Sequence, residues 1–241
     1  MSSKRIALIT GANKGIGLET VRQLAQAGMT ALIGAREAAR GEAAAAQLKK
    51  EGLDVRFIQL DVTDEASIAS AAAKIEKDFG KLDVLVNNAG IGAPESLPST
   101  AKMADIRAVF DVNVFGLIAV TQAMLPLMKK SEAGRIVNLT SILGSIGEHR
   151  DPASPIYGML YMAYNASKAA LNMFTANLSH ELRETKIKVN AAHPGWVKTD
   201  LGGEAAPLET PEGAWTSVYL ATLPAEGPSG GFYHKTVHMR W

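Results

Sequence analysis

The chain has 241 residues, 47% of them hydrophobic and 20% charged, with a formal net charge of +1. That is the composition of one globular domain with a substantial core, and it carries no basic footprint for nucleic acid or a membrane surface. The absence of cysteine excludes disulfides and thiolate metal sites, and no metal ligand set is expected.

Residues 1–5 lead into only five apolar-leaning residues before Gly11, too short for a signal-peptide core, and no run approaches membrane-spanning length. The expected location is cytoplasmic. Ile6–Thr10 is continuously apolar and ends at Gly11, the pattern of a strand buried on both faces. Residues 16–27, with Ile16, Val21, Leu24 and Ala25 at helical spacing, read as a helix closed by Gly28. A second strand over 30–34 and a helix over Ala38–Lys50 follow, then a strand over 54–60. Asp64 caps a helix over 65–78, with Gly80 after it. Residues 82–86 form the fourth strand, Pro94 and Pro98 punctuate a loop, and two helices abut over 100–110 and 114–130. Arg135–Leu139 is strand five, residues 141–155 are irregular, and 164–183 is a long helix. A strand over 186–191, a helix over 211–220 and a short strand over 231–233 complete the chain. Such alternation predicts a single-domain α/β fold, a doubly wound parallel sheet of Rossmann type.

Between the first strand and helix lies Thr10-Gly11-Ala12-Asn13-Lys14-Gly15-Ile16-Gly17. Its G-x3-G-x-G spacing differs from the commonest dinucleotide fingerprint, but the physics is shared. Gly11 turns the chain, Gly15 admits a pyrophosphate, Gly17 lets the helix pack closely on the sheet, and the helix N-terminus offers free N–H groups. After strand two comes Gly34-Ala35-Arg36-Glu37, with Arg40 a turn later. Lys14, Arg36 and Arg40 converging on one 2′-phosphate would select NADP. The alternative is that Arg36 and Arg40 are surface residues paired with Glu37 or Glu42. Glu37 stands one residue past the discriminating position and could point away.

The loop at 10–17, Asn87-Asn88-Ala89-Gly90, Tyr164-x3-Lys168 and Pro194-Gly195 occur in the order of the short-chain dehydrogenase/reductase family and resemble its motifs. Gly34-Ala35-Arg36, the run Pro194-Gly195-Trp196-Val197-Lys198-Thr199-Asp200 and the tail from Glu226-Gly227-Pro228 to Gly231-Phe232 resemble its carbonyl-reductase branch. Reducing a carbonyl needs hydride on carbon and a proton on oxygen. Tyrosine is a poor acid–base group at its usual pKa of about 10. Lys168, four residues on and so on the same helix face, is expected to lower that of Tyr164. Neither Tyr157 nor Tyr161 has a lysine at that spacing.

By the resemblance, Lys168 also holds the nicotinamide ribose and Ser141 orients the substrate oxygen beside Tyr164, leaving Thr140 structural. Asn113 carries a water between the lysine and solvent, and is otherwise a buried asparagine satisfied by local backbone. Asp61 and Val62 border the adenine, Asn88 and Gly90 the adenosine ribose, and the Val197 backbone and Thr199 the carboxamide. His193 is expected to be a packed or solvent-facing residue. The resemblance implies an NADPH-dependent reductase of a small hydrophobic aldehyde, ketone or quinone; a 3-oxoacyl thioester, steroid or sugar is the other substrate reading. A non-catalytic NADP-sensing relative would lack catalytic positions, yet Asn113, Ser141, Tyr164 and Lys168 are all present. The Ser141–Tyr164 interval is longer than usual for the family, so residues 144–161 are expected to cross the substrate mouth or an oligomer face. Residues 201–209, with two glycines and two alanines, suggest a small mobile lid over an open, apolar site. The helices at 114–130 and 164–183 could bury their outer faces in a homodimer or homotetramer.

Overall fold

In the computed structural model, which describes residues 4–241, one eight-stranded sheet has the order β3-β2-β1-β4-β5-β6-β7-β8. Its strands are β1 (Ile6–Thr10), β2 (Thr30–Ala35), β3 (Val55–Gln59), β4 (Val84–Asn87), β5 (Arg135–Leu139), β6 (Lys188–Ala192), β7 (Phe232–His234) and β8 (Val237–His238). All pairings from β3 to β7 are parallel; β8 alone runs antiparallel, against β7. The sequence reading missed β8. Its turn at Lys235, with φ 54°, lacks the Asn-Gly or Asp-Gly signal that usually marks so tight a hairpin.

The connecting helices are α1 (Gly15–Gln26), α2 (Ala38–Lys50), α3 (Glu65–Phe79), α4 (Met103–Phe110), α5 (Leu117–Met128), the short α6 (Ile146–His149), α7 (Met162–Glu181) and α8 (Thr210–Ala221). Successive strand residues point to opposite faces, so β1 must be apolar throughout. Ile9 joins Val21, Leu24, Leu48 and Leu220 beneath α1, α2 and α8. Leu8 joins Ile75, Val120, Met124 and Leu178 beneath α3, α5 and α7. With β1 held between β2 and β4, the strand order reverses at the C-terminal end of β1, where such sheets open a crevice.

The two helices expected to abut are one continuous element. Asp111–Gly116 forms a π-helical turn between α4 and α5. Within the span Met103–Met128 an 18-residue stretch has a mean hydropathy of 1.7, long and apolar enough to cross a membrane by length and composition alone. Polar residues Asp105, Arg107, Asp111 and Asn113 break the apolar run in the sequence, while Val120, Met124 and Leu127 pack into the core.

Candidate active site

The crevice is built first by a clamp between the ends of β1 and β4. Thr10 Oγ1 accepts from the Asn88 and Ala89 amides at 3.0 and 2.9 Å, and Asn88 Nδ2 donates to the Thr10 and Gly11 carbonyls at 2.8 and 3.2 Å. Asn88 lines the crevice, but its side-chain amide is spent on this clamp. Gly11 has φ +62°, and a Cβ on it would stand 2.9 Å from the Ala89 backbone. On Gly17 a Cβ would stand 2.5 Å from Asn88 Nδ2 and 2.9 Å from Ala12 Cα, so its closeness is to the loop and the clamp. Helix α1 starts with no side-chain cap and no acidic residue in its first turn, which leaves its first N–H groups to the crevice.

That crevice, of about 820 Å³, is lined by Gly11, Asn13, Lys14, Gly15, Ile16 and Gly17 on one wall, and by Arg36, Arg40, Asp61 and Val62 at one end. Asn88, Gly90, Thr199, Asp200 and Leu201 also line it. Thr199 packs on the phosphate loop: a Cβ on Gly15 would meet its Cγ2 at 3.5 Å. Val197 is buried, packs against Gly213, and lies outside the lining. Asp61 Oδ1 accepts from the Thr63 amide and hydroxyl at 2.9 and 2.7 Å, and these bonds hold its carboxyl below the ordinary value. The long groove, the open helix N-terminus and the glycine cradle fit a dinucleotide.

Glu37 does not point away. Its carboxylate lines the same end, with Oε2 3.1 Å from Arg40 Nε and Oε1 3.7 Å from Arg36 Nε. Lys14 is paired across the crevice with Asp200. The three cations therefore share one crevice, each with a carboxylate already beside it. The sequence held one signal for this, the Glu37–Arg40 spacing of one helical turn; Asp200 lies 186 positions from Lys14 and gave none.

At the other end, α7 turns Ser167, Lys168, Asn172 and Thr175 into the interior. Ser141 stands beside the Tyr164 hydroxyl, close enough to act on its pKa. Lys168 Nζ donates to the Leu139 carbonyl at 2.9 Å and stands 5.4 Å from the centre of the Tyr164 ring. Burial pushes the phenol up to about 12, against a smaller opposing effect of Ser141, and pushes the ammonium down to about 8. The expected lowering of Tyr164 by Lys168 is thus absent from the protein alone. The ammonium is desolvated and committed to a carbonyl, and it faces the ring.

The adjacent hydroxyls divide as the chain turns. Ser141 Oγ accepts from the Leu143 amide at 3.2 Å and meets Tyr164, whereas Thr140 Oγ1 donates to Asn172 Oδ1 at 2.8 Å. Asn113, fully buried in the π turn, accepts from the Ile91 amide at 2.8 Å and donates to the Ile91 carbonyl and Ser167 Oγ. Gly90 adjoins both: a Cβ there would lie 3.3 Å from Asn113 Oδ1 and 3.6 Å from Lys168 Nζ. His193 is a packed residue. Burial holds it neutral, near pKa 3, and its Nδ1 accepts from the Ile142 and Gly195 amides. It therefore steadies the turn beside Ser141, a positioning role that the sequence did not reveal.

Residues from 144–161 wall a separate apolar cleft of about 620 Å³ with Ser96, Pro98, Leu143 and Met162, alongside Asn165, Ala166 and Ala169 of α7. Tyr157 lines it and is exposed, while Tyr161 pairs with Ser96 as an isolated bridge. The expected lid at 201–209 is stitched down: the Lys198 amide donates to Leu208 O at 2.8 Å, Gly203 to Thr199 O at 2.8 Å, and Trp196 Nε1 to Gly202 O at 2.7 Å.

The family model for short chain dehydrogenases matches residues 5–209. The NADPH carbonyl reductase 1 of Sus scrofa is 36% identical over 278 aligned positions, which cover 100% of this chain and 95% of that one. Short-chain dehydrogenase anuI of Penicillium roqueforti is 38% identical over 241 positions, 98% of this chain and 94% of its own. Among solved structures, the NADPH-bound carbonyl reductase from chicken fatty liver is similar with a TM-score of 0.86 at 31% identity, over 100% of both chains.

Proposed function

Since this chain belongs to the short-chain dehydrogenase/reductase family, within its carbonyl-reductase-like branch, we propose that it reduces a small hydrophobic aldehyde, ketone or quinone to the alcohol with NADPH. The observation that carries this reading is the Ser141–Tyr164–Lys168 cluster standing beside Gly90, where the dinucleotide crevice ends. Bound NADPH supplies the hydride. The chain's own residues handle the oxygen.

Tyr164 is a neutral phenol at working pH, so it is the proton donor, and Ser141 donates a second hydrogen bond to the substrate oxygen as negative charge grows there. Lys168 holds the phenolate left on Tyr164 and the nicotinamide ribose, and Asn113 fixes the wall behind it. At the other end the amides of the 11–17 loop take the pyrophosphate, and Lys14, Arg36 and Arg40 take the 2′-phosphate. Asp61 and Val62 border the adenine, and Thr199 meets the carboxamide, a role the family resemblance also gave to the Val197 backbone, which lies outside the lining.

The test is NADPH oxidation against a panel of aldehydes, diketones, quinones and acyl thioesters. Turnover of apolar carbonyls with little on thioesters is the expected result. Failure to oxidise NADPH with any of the apolar carbonyls, or a clear preference for thioesters, would overturn it.

A further inference from the structure

The charges lining the crevice cancel. Lys14, Arg36, Arg40 and Lys198 face Glu37, Asp61, Asp200 and Glu204, four of each sign. Each of the four cations has a carboxylate partner: Asp200 for Lys14, Glu37 for both arginines, and Glu209 for Lys198. A polyanionic cofactor therefore enters a groove with no net side-chain charge. The helix N-terminus supplies favourable dipole, but a dianionic 2′-phosphate reaching Arg36 and Arg40 meets Glu37 already on them.

We infer that Glu37 is a specificity residue, an internal counter-ion on the two arginines that weakens the crevice's choice of NADPH over NADH. This rests on the proposed NADP(H) reading. Glu37 precedes the first turn of α2, and its carboxylate makes no capping bond, so it is free to serve the arginines. One oxygen faces each guanidinium, at 3.7 and 3.1 Å, between the two groups assigned to the phosphate. Against NADPH the carboxylate competes for those guanidiniums and repels the incoming dianion. Against NADH it is an acceptor to which the ribose 2′-hydroxyl can donate. One side chain thus acts with opposite sign on the two cofactors.

Adenosine 2′,5′-bisphosphate and 5′-AMP differ only in the 2′-phosphate, so calorimetry with these two probes isolates the pocket from any catalysis. In the unsubstituted protein the bisphosphate should bind more tightly. Glu37→Gln should tighten the bisphosphate about three- to tenfold, the scale of one solvent-exposed charge contact on a dianion, and leave 5′-AMP unchanged or weaker. Raising salt to 0.5 M should erase most of that gain. Glu37→Asp, which keeps the charge, should stay close to the unsubstituted protein. If the unsubstituted protein shows no preference for the bisphosphate, the NADP reading itself fails. If it does prefer the bisphosphate but Glu37→Gln leaves the ratio of the two affinities unchanged, or tightens both probes equally, only the inference about Glu37 falls.

Discussion

The two edges of the sheet bury charge in opposite ways. At the N-terminal edge, Asp83 accepts from the Ile6 amide at 2.8 Å, from Ser131 Oγ at 2.5 Å and from Lys81 Nζ at 3.1 Å. Arg135, only 1% exposed, donates to the carbonyls of Gly134, Lys186, Leu223 and Pro224. At the C-terminal edge, Lys168 is also buried yet its ammonium has one acceptor, and Ser141 stands beside the Tyr164 phenol. Saturated groups tie segments together. Groups with spare capacity are left to meet a ligand.

Three substitutions or conditions test this contrast. Tyr164→Phe removes the proton donor and little else, so kcat should fall by about a hundredfold or more while thermal stability and NADPH affinity hold. Near-normal turnover would remove Tyr164 from the chemistry. Arg135→Met should do the reverse. It orphans buried carbonyls, Leu223 above all, and should lower unfolding free energy by about 3 kcal/mol in urea titration, with kcat per folded molecule within about twofold. A variant of unchanged stability would show that the N-terminal edge is not the tie described.

The smallest effect is in the pH profile. Tyr164, raised to about 12, stays protonated through the working range, and Lys168, lowered to about 8, loses its charge above that pH. Phenolate left by proton transfer needs that charge. The reduction rate should hold level below about pH 8 and decline above it, several-fold by about pH 9. A rate that climbs between pH 7 and 9 would contradict this assignment.

Elements with a strong local pattern were legible in the sequence. Strands β1 and β2 read directly because burial on both faces favours near-continuous apolar runs, and Gly28, Gly52 and Gly80 marked the helix ends. Ser141 and Tyr164 were picked out by motif order, and their catalytic roles are a proposal. What stayed hidden depends on distant segments. The π turn is a change of hydrogen-bond register with no compositional mark. Neither the Lys14–Asp200 pair nor the Ile142 amide on His193, 51 positions away, leaves a trace at short spacing. The elevation of Tyr164 likewise arises from burial, which local sequence does not report.

The clamp between Thr10 and the Asn88–Ala89 turn has a consequence for the order in which the molecule comes into being. Its bonds join positions 78 and 79 residues apart, and β4 must insert beside β1 before they close. Closing so long an interval costs chain entropy that only the packed sheet repays. A nascent chain that has emerged through α2 carries every glycine of the phosphate loop but nothing for Gly11 to lean on. The loop encoded in the first seventeen residues is thus a late product of folding, and cofactor capture reports on a sheet already assembled through its fourth strand.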